Sequence, residues 1–311
     1  MSNARIIVVG PGAMGCGVAA IMQDKGADVA LLDYKQQRAR QIAADGIHVR
    51  FQDREWTARV PISADPEQVG HAGIVLLLVK AYATRAATAH LMPCVTPQTA
   101  VVTLQNGLGN YEIIAGLLPP TQVIGGAIVM GATSVDVGNV VISGVGDMAI
   151  GSPYGNHGLA RETAARLGRY WPSVPCEAAI DRVIWRKVTV NAAVNTLSAL
   201  SGLTNGAIVA DDRLRETLGA IAREVAAVAR KTGVEAFADA YPAQVTEEIC
   251  RITANNRTSM LQDVGAKRPT EIDQICGEIV RRGSMVGVAT PLCQAMVALI
   301  GSIERAYLPE T

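Results

Sequence analysis

Over the first part of the chain, short apolar runs alternate with stretches whose apolar residues recur at helical spacing. Arg5-Ile6-Ile7-Val8-Val9-Gly10 reads as a strand ending in glycine, and Gly17 to Lys25 as a helix closed by Gly26. Asp28 to Asp33 is a second strand, Gln36 to Ala44 a polar helix and Gly73 to Lys80 a third strand. Thr84 to Met92 is helical and Ala100 to Leu104 is a fourth strand. Strand alternating with helix predicts a parallel, doubly wound sheet. From about Gln122 to Ile150, Val- and Ile-rich runs are separated by glycine. Val123 to Met130, Val140 to Ser143 and Met148 to Gly151 are expected there as antiparallel or mixed strands extending the sheet.

After Pro175 no strand pattern remains. Asp181 to Leu200, Asp211 to Thr232, Ala240 to Thr253, Thr270 to Val286 and Pro291 to Ala306 all carry helical patterns. Asp211 or Asp212 can cap the second of these, and Gly233 ends it. The expected class is α/β with an all-helical C-terminal domain, the first domain covering 1–179 and the second 180–311. No repeat or low-complexity linker separates them.

Composition narrows the chemistry. Apolar residues make up 49% of the 311 positions and aromatic ones only 4%, so the core is built from Ala, Val, Ile and Leu. Lys plus Arg equals Asp plus Glu, at 28 each, with no basic block to suit nucleic acid or an anionic membrane. No apolar run reaches the ~18 residues needed to span a bilayer, and the chain enters its first strand within five residues. A cytoplasmic location with no leader peptide is therefore expected. The six cysteines form no CxxC pair and no zinc-type cluster with histidine. They read as reduced thiols packed as small apolar residues, with no metal site.

Gly10-Pro11-Gly12-Ala13-Met14-Gly15 fits GxGxxG and sits between a strand and a helix, where that spacing has a mechanism. The first glycine makes the turn, and the second admits a pyrophosphate to the backbone. The third lets helix and strand pack, with the phosphates at the helix start. The first domain is thus read as a Rossmann-type dinucleotide-binding domain, with Gly10, Gly12, Ala13, Met14 and Gly15 at the cofactor. Asp33 ends the second strand 18 residues beyond Gly15. An acid there bonds the ribose hydroxyls of NAD and repels the 2′-phosphate of NADP, and Tyr34 beside it can pack on adenine. Lys35 and Arg38 pull the other way. Asp33-Tyr34 inclines the choice to NADH. Lys80 and Asn106 follow the third and fourth strands, at the carboxyl ends where ligands of open α/β sheets bind.

In Trp185-Arg186-Lys187-Val188-Thr189-Val190-Asn191-Ala192-Ala193-Val194-Asn195, a helix apolar enough to be buried carries Lys187, Asn191 and Asn195 on one face. A buried lysine or amide is costly unless it binds something, so the stripe is expected to line a cleft. All four histidines precede residue 179, which disfavours a histidine acid from the second domain. Lys187 is the candidate general acid if its surroundings lower its pKa. Farther on, Thr270 can cap a helix with Asp273 as partner in an imperfect capping box, and periodicity alone puts Glu271 on the surface.

The glycine loop, VLLLVKAY with Lys80, LQNG with Asn106, WRKVTVNAAVN, and SMLQD followed by TEID occur in the order seen in ketopantoate reductases, and the chain resembles that family over nearly its whole length. The resemblance implies hydride transfer from a nicotinamide cofactor, usually NADPH, to a 2-keto acid. It implies Lys187 as general acid and Glu271 as second catalytic residue. It implies Ser259 as a substrate hydrogen-bond donor, Asn106, Asn191, Asn195 and Asn205 as positioning amides, and Lys80 near cofactor and substrate. Two departures stand out: Asp33-Tyr34 where many relatives carry arginine, and Ile275-Cys276-Gly277 where Ile-Asn-Gly is usual. They keep an NAD-dependent D-2-hydroxyacid dehydrogenase for other branched 2-keto acids as an alternative. A β-hydroxyacid dehydrogenase and a dinucleotide-binding sensor without turnover are further alternatives. A homodimer is expected.

Overall fold

A computed structural model describes residues 5–238 and 240–308. The described residues form two compact units. One runs to Gln105 and resumes over Asn110–Ile180; the other comprises Asn106–Gly109 and the chain from Asp181 onward.

The first unit is built on a nine-stranded sheet in the order β4-β3-β9-β8-β7-β6-β1-β2-β5. Its strands are β1 (Ile6–Val9), β2 (Val29–Leu32), β3 (Ile47–Phe51), β4 (Arg54–Ala58), β5 (Ile62–Ser63), β6 (Ile74–Leu77), β7 (Ala100–Thr103), β8 (Val123–Asp136) and β9 (Asn139–Gly151). The run β5-β2-β1-β6-β7-β8 is parallel throughout. This is the doubly wound order 3-2-1-4-5-6 of a dinucleotide-binding fold. Strand alternation divides its core: Ile6 and Val8 join one apolar layer, Ile7 and Val9 the other. Helices α1 (Ala13–Asp24), α2 (Gln36–Asp45), α3 (Pro66–Val69), α4 (Thr84–Leu91), α5 (Asn110–Ala115) and α6 (His157–Leu167) belong to this unit.

The α/β class with a helical second half is as expected, but several elements differ. Helix α1 starts at Ala13, not Gly17, taking Gly15 and Gly17 into its first turns, where a Cβ on Gly17 would lie 2.5 Å from Met130 Cε. The two strands expected in 140–151 are one, β9, pairing antiparallel with a β8 longer than expected. In sequence the glycines there look like breaks. The ladder absorbs them through shifts at Ile128/Met130 and Gly131/Ala132. The β3–β4 hairpin was not expected at all, although Ile47, Val49 and Phe51 alternate with His48 and Arg50, and Gln52 turns the chain at φ +53°.

In the second unit α7 (Ile180–Val190) runs into a π-helical turn at Asn191–Asn195 and then α8 (Thr196–Ser201). There follow α9 (Asn205–Ala210), α10 (Asp212–Lys231), α11 (Pro242–Ile252) and α12 (Ser259–Gly265). A second π turn at Asp273–Gly277, α13 (Glu278–Met285) and α14 (Pro291–Arg305) complete it. Helix α10 is its spine: Leu218, Ile221, Ala222, Val225, Val228 and Ala229 are buried at helical spacing. Asp211 caps it, accepting from the amides of Arg213 and Leu214 at 2.9 and 3.0 Å. Among the described residues no helix is long and apolar enough to cross a membrane.

Candidate active site

In the first unit, the glycine loop divides its labour by geometry. Gly10 has φ +99°, and a Cβ on it would lie 2.9 Å from the Val79 amide nitrogen. A Cβ on Gly15 would sit 2.0 Å from Gly10 O. Around Gly12 there is open space, and Gly12 is the N-cap of α1 without a side chain to cap it. A backbone bare at the start of α1, with Ala13 and Met14 partly buried in its first turn, fits a pyrophosphate drawn to amide donors and the helix dipole.

Asp33 follows β2 directly, as expected, and is paired there. Its carboxylate is buried and accepts four hydrogen bonds. Oδ1 accepts from the amides of Tyr34 (2.7 Å) and Lys35 (3.1 Å), and Arg38 clasps both oxygens through Nη2 (2.5 Å) and Nε (2.6 Å). The acid that inclines the sequence to NADH also seats an arginine. The exposed Tyr34 ring carries the Lys35 ammonium and the Arg38 guanidinium at 5.5 and 5.6 Å from its centroid. One carboxylate against two cations leaves a positive edge at the end of β2.

Lys80 follows β6, is partly buried and stands just before a single 3₁₀ turn, Ala81–Ala83. Beside it lies a buried polar network that sequence reasoning missed. Gln105 Nε2 donates to Val79 O (3.0 Å) and Thr84 Oγ1 (2.8 Å), and its Oε1 accepts from Thr103 Oγ1 (2.9 Å). Thr84 Oγ1 in turn lies 2.9 Å from Asn110 Oδ1. The signal available was a run of polar side chains at the end of a strand that should be dry.

In the second unit, Lys187 near the end of α7 is partly buried. Burial pulls its ammonium down to about 8, and the charge of Glu271 opposes that pull. Glu271 is buried at 5% exposure, against the surface position expected from periodicity, because it precedes the helix and turns inward. Asn106 Nδ2 donates to Glu271 Oε2 at 3.2 Å. Its loop is docked on the second π turn through Leu108 N to Gln274 O, 2.9 Å. Gly107 makes that approach possible: its φ is +86°, and a Cβ would stand 2.4 Å from Gln274 O.

The π turn at 191–195 bears on the polar stripe. Four residues of α-helix overshoot a full turn by about 40°, whereas four residues of a π turn, at about 4.4 per turn, undershoot by roughly 30°. The wide turn cancels the drift that would carry Asn195 away from Lys187. Asn191 is partly buried there and Asn195 buried. Lys187, Glu271 and Asn106 form one interacting group that places an ammonium, a carboxylate and an amide together. This set can deliver a proton and hydrogen bonds to a polar ligand.

Over this whole frame the chain matches a known pattern. Residues 6–155 match the sequence model of ketopantoate reductase PanE/ApbA, and residues 179–304 that of its C-terminal part. The chain belongs to the ketopantoate reductase family. The 2-dehydropantoate 2-reductase of Vibrio cholerae is 31% identical over 307 residues, covering 97% of this chain and 99% of its own. The solved 2-dehydropantoate 2-reductase of Geobacter metallireducens has a TM-score of 0.89 at 29% identity, covering 96% and 99%. D-mandelate dehydrogenase in complex with NADH and anilino(oxo)acetate has a TM-score of 0.91 at 25% identity, covering 97% and 99%. As a member of the ketopantoate reductase family, the protein is an oxidoreductase.

The remaining family-implied positions fall as follows. Asn205 opens α9 and gives its Nδ2 to Thr253 Oγ1 at 2.8 Å, leaving Oδ1 buried without a partner. Ser259 is exposed at the start of α12, whose cap is Thr258. Thr270 Oγ1 accepts from Ile272 N at 3.2 Å, but the back-bond assigned to Asp273 is not made by it: Thr270 N donates to Glu304 Oε1. Cys276, where the ketopantoate reductase pattern usually has asparagine, is fully buried against Cys293.

Proposed function

We propose that this protein reduces 2-dehydropantoate to D-pantoate, with Lys187 as general acid. The observation that carries the reading is the grouping of a partly buried Lys187 with the buried Glu271 that Asn106 Nδ2 holds at 3.2 Å, burial lowering the Lys187 ammonium against the charge of Glu271. Gly10, Gly12, Ala13, Met14 and Gly15 would hold a nicotinamide dinucleotide, which would supply the hydride for the ketone carbon. Lys187 Nζ donates its proton to the ketone oxygen as negative charge builds there. Glu271, held by Asn106 Nδ2, keeps Lys187 protonated until transfer and accepts from the substrate hydroxyl. Asn191, Asn195, Asn205, Ser259 and Lys80 provide donors for the carboxylate and for orientation. Fixing the keto acid in one pose supplies much of the rate.

For the cofactor we propose NADPH over NADH. Asp33 is neutralised by Arg38, and Lys35 and Arg38 are spread over the exposed Tyr34. Such an edge attracts a 2′-phosphate, which an open Asp33 carboxylate would repel. The same reading has the protein act as a homodimer on a small 2-keto acid.

The test is steady-state kinetics with 2-dehydropantoate and NADPH or NADH, on wild type and Lys187→Ala. Strong wild-type turnover that falls at least about 100-fold in the variant supports the reading. A preference for 2-keto acids lacking the terminal hydroxyl overturns the substrate assignment, because a site built to bond that hydroxyl rejects them by orders of magnitude.

A further inference from the structure

Glu271 is reached through an irregular segment between α12 and the second π turn, which includes Lys267 at φ +52°. Nothing in that segment's own pattern fixes where the carboxylate goes. Three contacts do. The Arg268 guanidinium pairs with the buried Asp263 carboxylate at 3.1 Å. Tyr307 Oη donates to Arg268 O at 3.0 Å. Glu304 Oε1 accepts the Thr270 amide at 2.5 Å, on the residue directly before Glu271. Thr270 is only 5% exposed, so its N–H has little water to fall back on. Two of the three contacts come from the end of α14 and the turn after it, 34 and 39 residues down the chain.

We propose that Glu304, seconded by Tyr307, is a positioning residue for Glu271: the end of the C-terminal helix holds the peptide ahead of the carboxylate, keeping Glu271 under the Asn106 amide and in the field of Lys187. The inference rests on the assignment of Lys187 and Glu271 made above. In this proposal Glu304 acts through the backbone of 270–271, by accepting the Thr270 amide.

The charged groups around the latch are Glu304, Asp263 and Arg268, together with the Tyr307 phenol. That phenol is raised by burial and by the Glu304 and Asp263 charges. On the other side, Lys187 is balanced between burial, which lowers it, and Glu271, which raises it. This balance gives a readout that general loosening would not move. If Glu271 withdraws, Lys187 loses its upward support and the alkaline limb of kcat moves to lower pH.

The experiment measures kcat, cofactor KM and the pH profile for wild type, Glu304→Ala, Glu304→Gln, Tyr307→Phe and Glu271→Gln. Glu304→Ala should lower kcat about 10- to 100-fold, as small misplacements of catalytic groups do. It should also shift the alkaline limb to lower pH, in the same direction as Glu271→Gln, with cofactor KM unchanged. Glu304→Gln keeps an acceptor oxygen and should restore both kcat and limb. Tyr307→Phe should shift the limb in the same direction by less. Should Glu304→Ala fail to fold, Glu304→Gln and Tyr307→Phe carry the test. The positioning role is overturned if Glu271→Gln moves the limb while Glu304→Ala and Tyr307→Phe leave it in place. It is also overturned if Glu304→Gln is as impaired as Glu304→Ala. If Glu271→Gln itself changes neither turnover nor limb, the assignment of Glu271 falls first, and the latch with it.

Discussion

At the scale of single residues, the chemistry turns on how cheaply one ammonium can be discharged. A free lysine titrates near 10.5 and is a poor proton donor at neutral pH; at about 8 it is closer to the optimum for general acid catalysis. The acid must be protonated to act. Turnover is therefore expected to be level below about pH 8 and to fall tenfold per unit above it, as a kcat profile from pH 6 to 10 would show. An alkaline limb near 10.5 would contradict a perturbed Lys187. Asp33 makes the complementary point: one motif residue can be read in two ways according to what its neighbours do. With Arg38 clasping it, Arg38→Ala should raise KM for NADPH at least about tenfold while leaving that for NADH nearly unchanged, consistent with the ~1.5–3 kcal/mol of a charge-assisted bond. Equal losses with both cofactors would assign Arg38 to the fold alone.

At the scale of elements, glycines and π turns decide where those side chains point. Gly107→Ala places a methyl group against Gln274 O and demands φ +86° of a residue with a Cβ. The Asn106 loop should then lift from the second π turn, with a loss of kcat and little change in cofactor affinity. Gly15→Ala does the reverse. Its Cβ would strike Gly10 O at 2.0 Å, so tryptophan-quenching or calorimetric titration should find cofactor binding abolished. If the two variants fail alike in cofactor binding, the division of labour between loop and π turn is wrong. Both π turns sit beside proposed site residues, and π turns recur at functional sites because one inserted residue re-aims a helix face. The helical periodicities of 181–200 and 270–286 announced long helices correctly in type, yet neither π turn was visible, since a one-residue insertion in a short run of small apolar residues leaves no clear phase to read.

At the scale of the whole molecule, a partly buried cation is held at the expense of stability. Below about pH 8 Lys187 is protonated in both folded and unfolded chains, and its desolvation weighs fully on the fold. Between about 8 and 10.5 the folded protein has released the proton and the unfolded chain has not, so stability from this group rises with pH. Lys187→Met should therefore abolish turnover and yet raise thermal stability at pH 7, by about 1–3 kcal/mol, with the gain shrinking above pH 8. A variant less stable than wild type at pH 7 would show that Lys187 is held by contacts worth more than its desolvation. Local order in the chain was enough for the parallel sheet, the glycine loop and the helical second half, because strand alternation, helix periodicity and turn glycines act over a few residues and are written there. That Lys187, Asn191 and Asn195 sit in a largely buried helical segment was legible for the same reason: polar side chains on a dry helix stand out locally. Glu271 was not, since its burial depends on a segment of no regular pattern, tied down by Glu304 and Tyr307 from the far end of the chain. Nor was the state of Asp33, which its position after β2 marks as an acceptor but which Arg38 occupies from the next helix. Whether a charged side chain is free or spoken for is set by partners brought in through tertiary packing, and spacing along the chain carries no record of that.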